Sequence, residues 1–334
     1  MSDAFRPHPL IRGAHAQTAL PALLRATPHV PWQRETLETP DGDFIVVAHH
    51  GPDDGPVALL LHGLGGGLDS TYLCATARRL AALGWHCIGI QQRGAGPEPN
   101  RLARSYNHGE SGDIAWLLQQ LTQRAPERFH AAVGWSLGGN VLLKTLGELG
   151  PRAPLDAAMA VSVPFALAPC VEHLTRGPAR AYQAYLLRGL KAGLRRKHGP
   201  VALPPGADLA TALAARDFRT FDNAYTAPCN GYADAEDYYA RASCGQYLAD
   251  IRVPTRIVHA LDDPMMVPTI VPDADAIPAP VSLEVTARGG HVGFVGRNDA
   301  GLPSMWLEAT IPAWLEAQRH GSDAPDAETA TETA

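Results

Sequence analysis

The sequence predicts an α/β fold in which helices cover both faces of a mostly parallel, eight-stranded sheet. Short apolar runs alternate with segments of helical periodicity along most of the chain, and a hairpin pattern precedes them. A glycine-flanked serine also stands where a strand pattern changes to a helix pattern. A chain of 334 residues is long enough for one large domain of this class.

The first two predicted strands form an antiparallel hairpin. They span Trp32 to Leu37 and Phe44 to Ala48, and Asp41-Gly42 supplies the turn between them. Helical periodicity over Tyr72 to Leu83 and Ile114 to Leu121 predicts helices between later strands. The six further strands are predicted from apolar runs at Val57 to Leu61, Cys87 to Ile90, Phe129 to Val133, Ala157 to Val163, Arg256 to Ala260 and Leu283 to Val285.

The alternation of strands and helices stops between Pro164 and Ile251. This region contains helix-like stretches, among them Ala179 to Leu194 and Asp234 to Ala242, but no convincing buried strand. We interpret residues 165–250 as a helical cap inserted between the sixth and seventh strands of a single domain that spans residues 1–319. Residues 320–334 are rich in Ala, Thr, Asp and Glu, which predicts a disordered tail.

Composition excludes several functional classes. The formal net charge of -6 argues against a general nucleic-acid-binding protein, and the one basic cluster, Arg188 to Lys197, predicts a solvated helix face. The five cysteines have no Cys-x-x-Cys spacing, so neither a zinc site nor a disulfide framework is indicated. No signal peptide or membrane-spanning segment is recognisable, which predicts a cytoplasmic protein. Peripheral membrane contact and oligomeric state stay open.

The stretch Gly134-Trp135-Ser136-Leu137-Gly138 has the spacing of a nucleophile elbow. Such a turn is so sharp that only small residues fit two positions either side of the serine, and glycine supplies that room. An apolar run precedes the motif, and residues at helical spacing follow it. Serine is also a favoured helix N-cap residue, so the motif by itself leaves a structural role open.

A serine hydroxyl needs a histidine base and a carboxylate that orients the histidine. The chain supplies both in the order that this arrangement requires, because Asp262-Asp263 and then His291 follow predicted strands. We choose Asp263 as the acid because it lies one step further into the loop, while Asp262 would pair with a cation or cap the turn. On its own, Asp263 is explained equally well as a turn residue before a proline. His291 on its own is more simply a structural histidine, because the chain has fourteen histidines. Together they predict a catalytic triad with Ser136.

An oxyanion hole would use the backbone N–H of Leu137 and a second N–H from the glycine-rich loop His62 to Gly67, with Leu64 as the donor. This loop lacks both the Gly-x-Gly-x-x-Gly pattern and a Gly-Lys-Ser/Thr ending, so dinucleotide or phosphate binding is not favoured. We expect His62 to support the loop rather than to act as a base.

With these residues in place, the chain resembles the YheT-like branch of the α/β-hydrolase superfamily, a group of carboxylesterases. The resemblance extends from about Leu10 to about Leu315 and implies the α/β-hydrolase fold, the triad Ser136, Asp263 and His291, and no metal or organic cofactor. The motifs that carry it are His15-Ala16-Gln17-Thr18, Pro40-Asp41-Gly42-Asp43, His62-Gly63-Leu64, Arg93-Gly94, Glu98-Pro99-Asn100-Arg101, Gly134 to Asn140, Gly231-Tyr232-Ala233-Asp234, Asp262-Asp263-Pro264 and Gly289 to Phe294.

The resulting hypothesis is a serine hydrolase for small-molecule carboxylic esters of short to medium acyl chain, with monoacylglycerol-like lipids among the candidates. An acyltransferase with the same triad is a second reading, and a non-catalytic protein that binds a small ligand in the capped pocket is a third. The triad does not explain the polar stretch Glu98 to Arg101. This stretch would either shape the pocket or brace the cap, and we favour a bracing role.

Overall fold

The computed structural model describes residues 4–197 and 202–322. Eight strands form one sheet, as predicted, and their order is β1-β2-β4-β3-β5-β6-β7-β8. Strand β2 pairs antiparallel with β1 and with β4, and all pairs from β4 to β8 are parallel. The strands are β1 Gln33–Glu38, β2 Phe44–His50, β3 Val57–Leu61, β4 His86–Gln91, β5 His130–Trp135, β6 Ala157–Val161, β7 Thr255–Ala260 and β8 Val281–Thr286.

Helices fill most of the connections between strands. A small second sheet, which the sequence patterns do not reveal, pairs β9 (Val295–Arg297) with β10 (Pro303–Met305). Within the described ranges, no helix combines the length and the apolar character that crossing a bilayer requires. The helices are α1 Ala14–Leu24, α2 Thr71–Ala82, α3 Ser111–Arg124, α4 Leu137–Leu149, α5 Leu167–His173, α6 Ala179–Lys197, α7 Leu209–Ala214, α8 Phe218–Phe221, α9 Ala227–Cys229, α10 Ala235–Ala242 and α11 Trp306–Ser322. Shorter helical turns are Gly150–Arg152, Cys244–Asp250, Pro268–Ile270, Ala274–Ala276 and the π-helix Asp222–Thr226.

The central strands β3, β5 and β6 are buried along their whole length, which explains their unbroken apolar sequences. Side chains alternate between the two faces of the sheet. Leu59 and Leu61 belong to the core on the side of α3 and α4. Ala58 and Leu60 belong to the core on the side of α2 and α11. The sheet is therefore a rigid platform, and its carboxyl edge carries the loops that contain the predicted site residues.

Helices α5 to α10 lie between β6 and β7 and have a hydrophobic core of their own, which includes Leu187, Phe221 and Tyr239. We call this helical region the cap. At the other end of the chain, α11 continues to Ser322, so the first residues of the predicted tail are helical. The rest of that predicted tail lies outside the described residues.

The basic cluster at the end of α6 is not solvated throughout, contrary to the sequence prediction. Lys197 is buried, and its ammonium group donates hydrogen bonds of 2.7 Å to the carbonyl oxygens of both Ala103 and Arg104. Burial lowers the pKa of Lys197 to about 8. This lysine ties the cap to the loop between β4 and α3.

A buried cluster of charges joins the β1–β2 hairpin to the loop after β4 and to α3. The guanidinium of Arg93, whose side chain is 1% exposed, forms ion pairs with Asp43 at 2.9 Å and Asp113 at 2.7 Å. A third carboxylate, Asp41, lies 3.1 Å from the same group. Burial opposes ionisation of Asp43, but hydrogen bonds led by the Asn100 side chain outweigh it and lower the Asp43 pKa to about 2.

Within the described residues, the hydrogen bonds of the polar stretch Glu98 to Arg101 reach the hairpin and the stretch's own loop and not the cap, which corrects the preferred sequence interpretation. Asn100 Nδ2 donates to Asp43 Oδ2 at 2.6 Å, and the backbone N–H of Arg101 donates to Asp43 Oδ1 at 2.8 Å. The Arg101 side chain pairs with Glu38 at the surface. The resemblance motifs in the hairpin, at Arg93 and at Asn100 therefore form one connected polar cluster.

Replacing Arg93 with Met should lower the free energy of unfolding by about 3–5 kcal/mol, because it removes the buried cation that balances the charges of Asp43 and Asp113. Urea denaturation followed by far-UV circular dichroism measures this change. Arg101→Met is the matched control, since its ion pair with Glu38 is exposed and screened by solvent. Equal effects of the two substitutions would contradict a central role for the buried cluster.

Candidate active site

Ser136 lies at the sharp turn between β5 and α4, with φ 52° and ψ -117°. A serine at positive φ is strained, so the surrounding structure must hold it there. A Cβ atom on Gly134 would lie 2.5 Å from the carbonyl oxygen of Gly138, and one on Gly138 would overlap the backbone of Leu61. The side chain of Ser136 makes no capping hydrogen bond to α4. The geometry is that of a half-buried serine on a nucleophile elbow and not that of a helix N-cap.

The structure brings His291 and Asp263 together. His291 Nδ1 lies 2.6 Å from Asp263 Oδ2, and the other carboxylate oxygen accepts the N–H of Met265 at 2.8 Å. The Asp263 side chain is 1% exposed, so solvent does not compete for this contact. The arrangement fixes the imidazole with Nδ1 toward the carboxylate and Nε2 on the opposite side of the ring.

Asp262 has a different partner. Its Oδ1 accepts the backbone N–H groups of Gly289 at 2.8 Å and Gly290 at 2.9 Å. It therefore holds the loop that precedes His291, and among the described residues it has neither a cation partner nor a contact with the imidazole. The two neighbouring aspartates therefore have different roles in the structure. Asp263 contacts the imidazole ring of His291, and Asp262 contacts the backbone of the loop that precedes it.

Helix α1 supports the same loop, a role that the sequence analysis missed. The Thr18 hydroxyl accepts the backbone N–H of His291 at 2.9 Å. The fully buried Gln17 accepts from Val295 N at 2.6 Å and donates to Val295 O at 3.0 Å. The available signal was the motif His15-Ala16-Gln17-Thr18, whose polar side chains stand in a helix that is otherwise apolar. The loop also contains strained residues, since Val292 has φ 63° and Phe294 has φ 43°.

Two tyrosine hydroxyls shape the glycine-rich loop after β3. The N–H of Gly63 donates to Tyr72 at 2.9 Å, and the N–H of Gly65 donates to Tyr106 at 3.0 Å. Between them, the N–H of Leu64 has no hydrogen-bond partner among the described residues. An unpartnered backbone donor beside the elbow is what an oxyanion hole requires.

His62 is part of the scaffold of this loop. Its Nδ1 lies 2.8 Å from the carbonyl oxygen of Gly63, and its Nε2 accepts the backbone N–H of Gln92 at 3.3 Å. Burial lowers the pKa of His62 to about 4. Both ring nitrogens are therefore occupied, and the ring stays neutral.

A cavity of about 350 Å³ lies between the carboxyl edge of the sheet and the cap. Ser136 and His291 line it together with Leu64 and Leu137, so the predicted nucleophile, base and backbone donors open into one space. Most of the remaining wall is apolar and comes from the cap. Its lining includes Leu167, Leu174, Leu186, Leu190, Phe218, Phe221, Met265 and Met266, together with Tyr106, Tyr225, Tyr238 and Tyr239.

Other reactive groups do not form a competing site. Within residues 4–197 and 202–322, no three His, Cys, Asp or Glu side chains are grouped as metal ligands would be. All five cysteines are buried free thiols. Burial, reinforced by the charge of Asp263, raises the pKa of the cavity-lining Cys170 to about 12, so this thiol stays protonated.

Comparison with known proteins places these features in context. Residues 56–297 match the family model described as alpha/beta hydrolase fold. The chain is 41% identical over 325 residues to "Putative esterase YheT" of Escherichia coli K12, covering 94% of this chain and 93% of that protein. It is 29% identical to the mouse phospholipase ABHD3, covering 88% of this chain and 74% of that protein. The Pyrococcus furiosus esterase Pf2001 has a similar fold, with a TM-score of 0.56 at 14% identity, covering 88% of this chain and 98% of that one.

Replacing Gly293 with Ala should lower the free energy of unfolding by about 1–3 kcal/mol, because the new Cβ would overlap the carbonyl of Gln17 and push α1 away from the histidine loop. Thermal or urea unfolding measures the change. Gly13→Ala is a matched control just before α1, since nothing lies within 4 Å of its added Cβ. If both variants kept the stability of the parent, the result would contradict the close packing of α1 against the histidine loop.

Proposed function

The chain belongs to the α/β hydrolase fold family, and on that premise we propose that it hydrolyses carboxylic esters through a covalent acyl-enzyme intermediate. One observation carries the proposal: the 2.6 Å contact between His291 Nδ1 and Asp263 borders the cavity that Ser136 also lines. The esterase name of the 41% identical Escherichia coli relative supports the same reaction class.

In the first half of the reaction, His291 Nε2 takes the proton of the Ser136 hydroxyl as the oxygen attacks the ester carbonyl carbon. The tetrahedral intermediate collapses, His291 gives the proton to the departing alcohol, and the acyl group stays on Ser136. In the second half, His291 removes a proton from water as the water oxygen attacks the acyl carbon. The second tetrahedral intermediate collapses, the bond to the Ser136 oxygen breaks, and His291 returns the proton to that oxygen, which releases the acid and the free serine. Asp263 keeps the imidazole in the reactive tautomer and stabilises its charged form.

The negative charge on the carbonyl oxygen develops next to two backbone donors. The N–H of Leu137 begins α4, so the positive end of the helix dipole points to the same place. The N–H of Leu64 approaches from the loop that Tyr72 and Tyr106 hold. Fixed donors stabilise this charge without having to reorganise during the reaction.

The cavity favours esters of short to medium acyl chain, including monoacylglycerol-like lipids. Its volume of about 350 Å³ lies near the lower end of the range for small-molecule pockets, which is about 300–1,000 Å³. The apolar cap residues on its wall suit an alkyl chain. Cap residues form most of the wall around Ser136 and His291. In this proposal the cap therefore selects the substrate, whereas the sheet edge supplies the catalytic groups.

Ser136→Ala should lower kcat by at least about 10⁴-fold, because it removes the group that becomes acylated. A panel of p-nitrophenyl acetate, butyrate, octanoate and dodecanoate measures both this loss and the chain-length preference of the parent protein. A fluorophosphonate probe should label the parent and not the variant. Equal hydrolysis by the two proteins would overturn the mechanism, and a parent that neither reacts with the probe nor cleaves any ester would favour a ligand-binding protein.

Asp263→Asn should lower kcat by about 10⁴-fold while the protein stays folded, because the amide favours the wrong histidine tautomer. Asp262→Asn is the matched control: it keeps a side-chain oxygen for the N–H groups of Gly289 and Gly290 and does not touch the imidazole. Its loss in kcat should therefore be far smaller. Steady-state kinetics on one ester compares them, and a larger loss for Asp262→Asn would reverse the assignment of the acid.

A further inference from the structure

We propose that His108 is a substrate-binding residue whose Nε2–H donates a hydrogen bond to a substrate oxygen outside the ester group that is cleaved. The proposal deepens the proposed ester hydrolysis and rests on it. His108 lies in the loop between β4 and α3 and lines the same cavity as Ser136 and His291. The class of substrate that it favours is an ester with a second oxygen function, such as a hydroxyl, a further carbonyl or a phosphoryl oxygen.

The backbone of His108 is fixed relative to the nucleophile. Asn140 Nδ2 donates to the carbonyl oxygen of His108 at 2.8 Å. Asn140 stands one helical turn after Ser136, and its own N–H donates to the Ser136 carbonyl at 3.0 Å. The distance from the elbow to His108 therefore depends on a single short stretch of α4. This contact also gives a role to the asparagine that follows the elbow glycines.

The ring of His108 is held in one tautomer by Tyr238. The Tyr238 hydroxyl accepts the backbone N–H of His108 at 3.1 Å and lies 2.9 Å from its Nδ1. The hydroxyl hydrogen has no other acceptor among the described residues, so it is donated to Nδ1, which makes Nδ1 an acceptor. The ring hydrogen is then on Nε2. Burial lowers the pKa of His108 to about 4, so the ring is neutral near pH 7.

Every polar atom of His108 except Nε2 has a partner. Nε2 has none among the described residues, and it does not belong to the side-chain atoms that are sealed from solvent without a partner. Because His108 lines the cavity, this N–H opens into it. An alkyl chain beside the donor would displace water and leave the N–H unpaired, which weakens binding. A substrate oxygen at this position restores the hydrogen bond.

The acceptor oxygen is distinct from the oxyanion, which already has the N–H groups of Leu64 and Leu137. It would lie on the alcohol side of the substrate, as in a monoacylglycerol, or on the acyl side, as in a hydroxyacyl ester. A site built to hydrogen-bond a substrate oxygen discriminates strongly against the analogue that lacks it. His108 would thus determine specificity, while the triad performs the reaction.

The test compares 1-octanoylglycerol, ethyl 3-hydroxyoctanoate and ethyl octanoate as substrates of the parent, His108→Phe and His108→Gln proteins. The measured quantity is the kcat/KM of each oxygen-bearing ester divided by that of ethyl octanoate. His108→Phe should lower at least one of these ratios by about ten-fold or more, and the affected ester identifies the side on which the oxygen lies. His108→Gln, which keeps an N–H donor, should recover most of the ratio. Unchanged ratios, or a loss that Gln does not recover, would overturn the proposal.

Binding to Ser136→Ala protein provides a readout that does not need turnover. Isothermal titration with the same three esters should show weaker binding of the oxygen-bearing ester when His108→Phe is added, relative to ethyl octanoate. If the parent cleaves none of the esters, the proposed hydrolysis fails, but the binding ratio still decides the role of His108. Equal binding ratios with and without His108→Phe would reject that role even in an active esterase.

Discussion

The sharp turn at Ser136 is the constraint on which the rest of the site depends. A serine at φ 52° persists only if strand and helix backbones approach each other closely, and the glycines at 134 and 138 make that approach sterically feasible. The turn directs the start of α4 at the end of β3. As a result, the N–H of Leu137 and the glycine-rich loop meet beside the serine. One turn further along, Asn140 extends the same geometry to the cavity wall at His108.

The remaining parts reach the site from distant positions in the chain, and buried polar contacts hold them. Asp262, Gln17 and Thr18 fix the loop around His291 through backbone hydrogen bonds. The Arg93 cluster fixes the hairpin, and Asn100 anchors the loop after β4 to it. None of these side chains lines the cavity, but the placement of reacting groups tolerates little displacement. Many polar motifs of the chain therefore lie away from Ser136 and His291, in the contacts that hold the surrounding loops in place.

In the proposed mechanism, chemistry and selectivity come from different layers of the molecule. The sheet edge carries the proposed nucleophile, base, acid and backbone donors, whereas the cap supplies most of the apolar wall. His108 connects the two layers, because α4 holds its carbonyl and Tyr238 of the cap holds its ring. A change in the cap that moves Tyr238 would therefore move the His108 ring and leave the elbow in place.

The sequence by itself determined the eight strands of the main sheet, the hairpin, the elbow motif and the chain order of Ser136, the aspartate pair and His291. These features depend on local periodicity, on glycine spacing and on chain order, which a sequence displays directly. The sequence favoured Asp263 over Asp262 only by its position in the loop, and the tertiary structure shows the different contacts of the two aspartates. It also decided that Gln17 and Thr18 support the histidine loop, that Asn100 braces the hairpin, and that His108 lines the cavity. Those contacts join residues far apart in the chain, and no local pattern encodes which distant backbone group a polar side chain will meet.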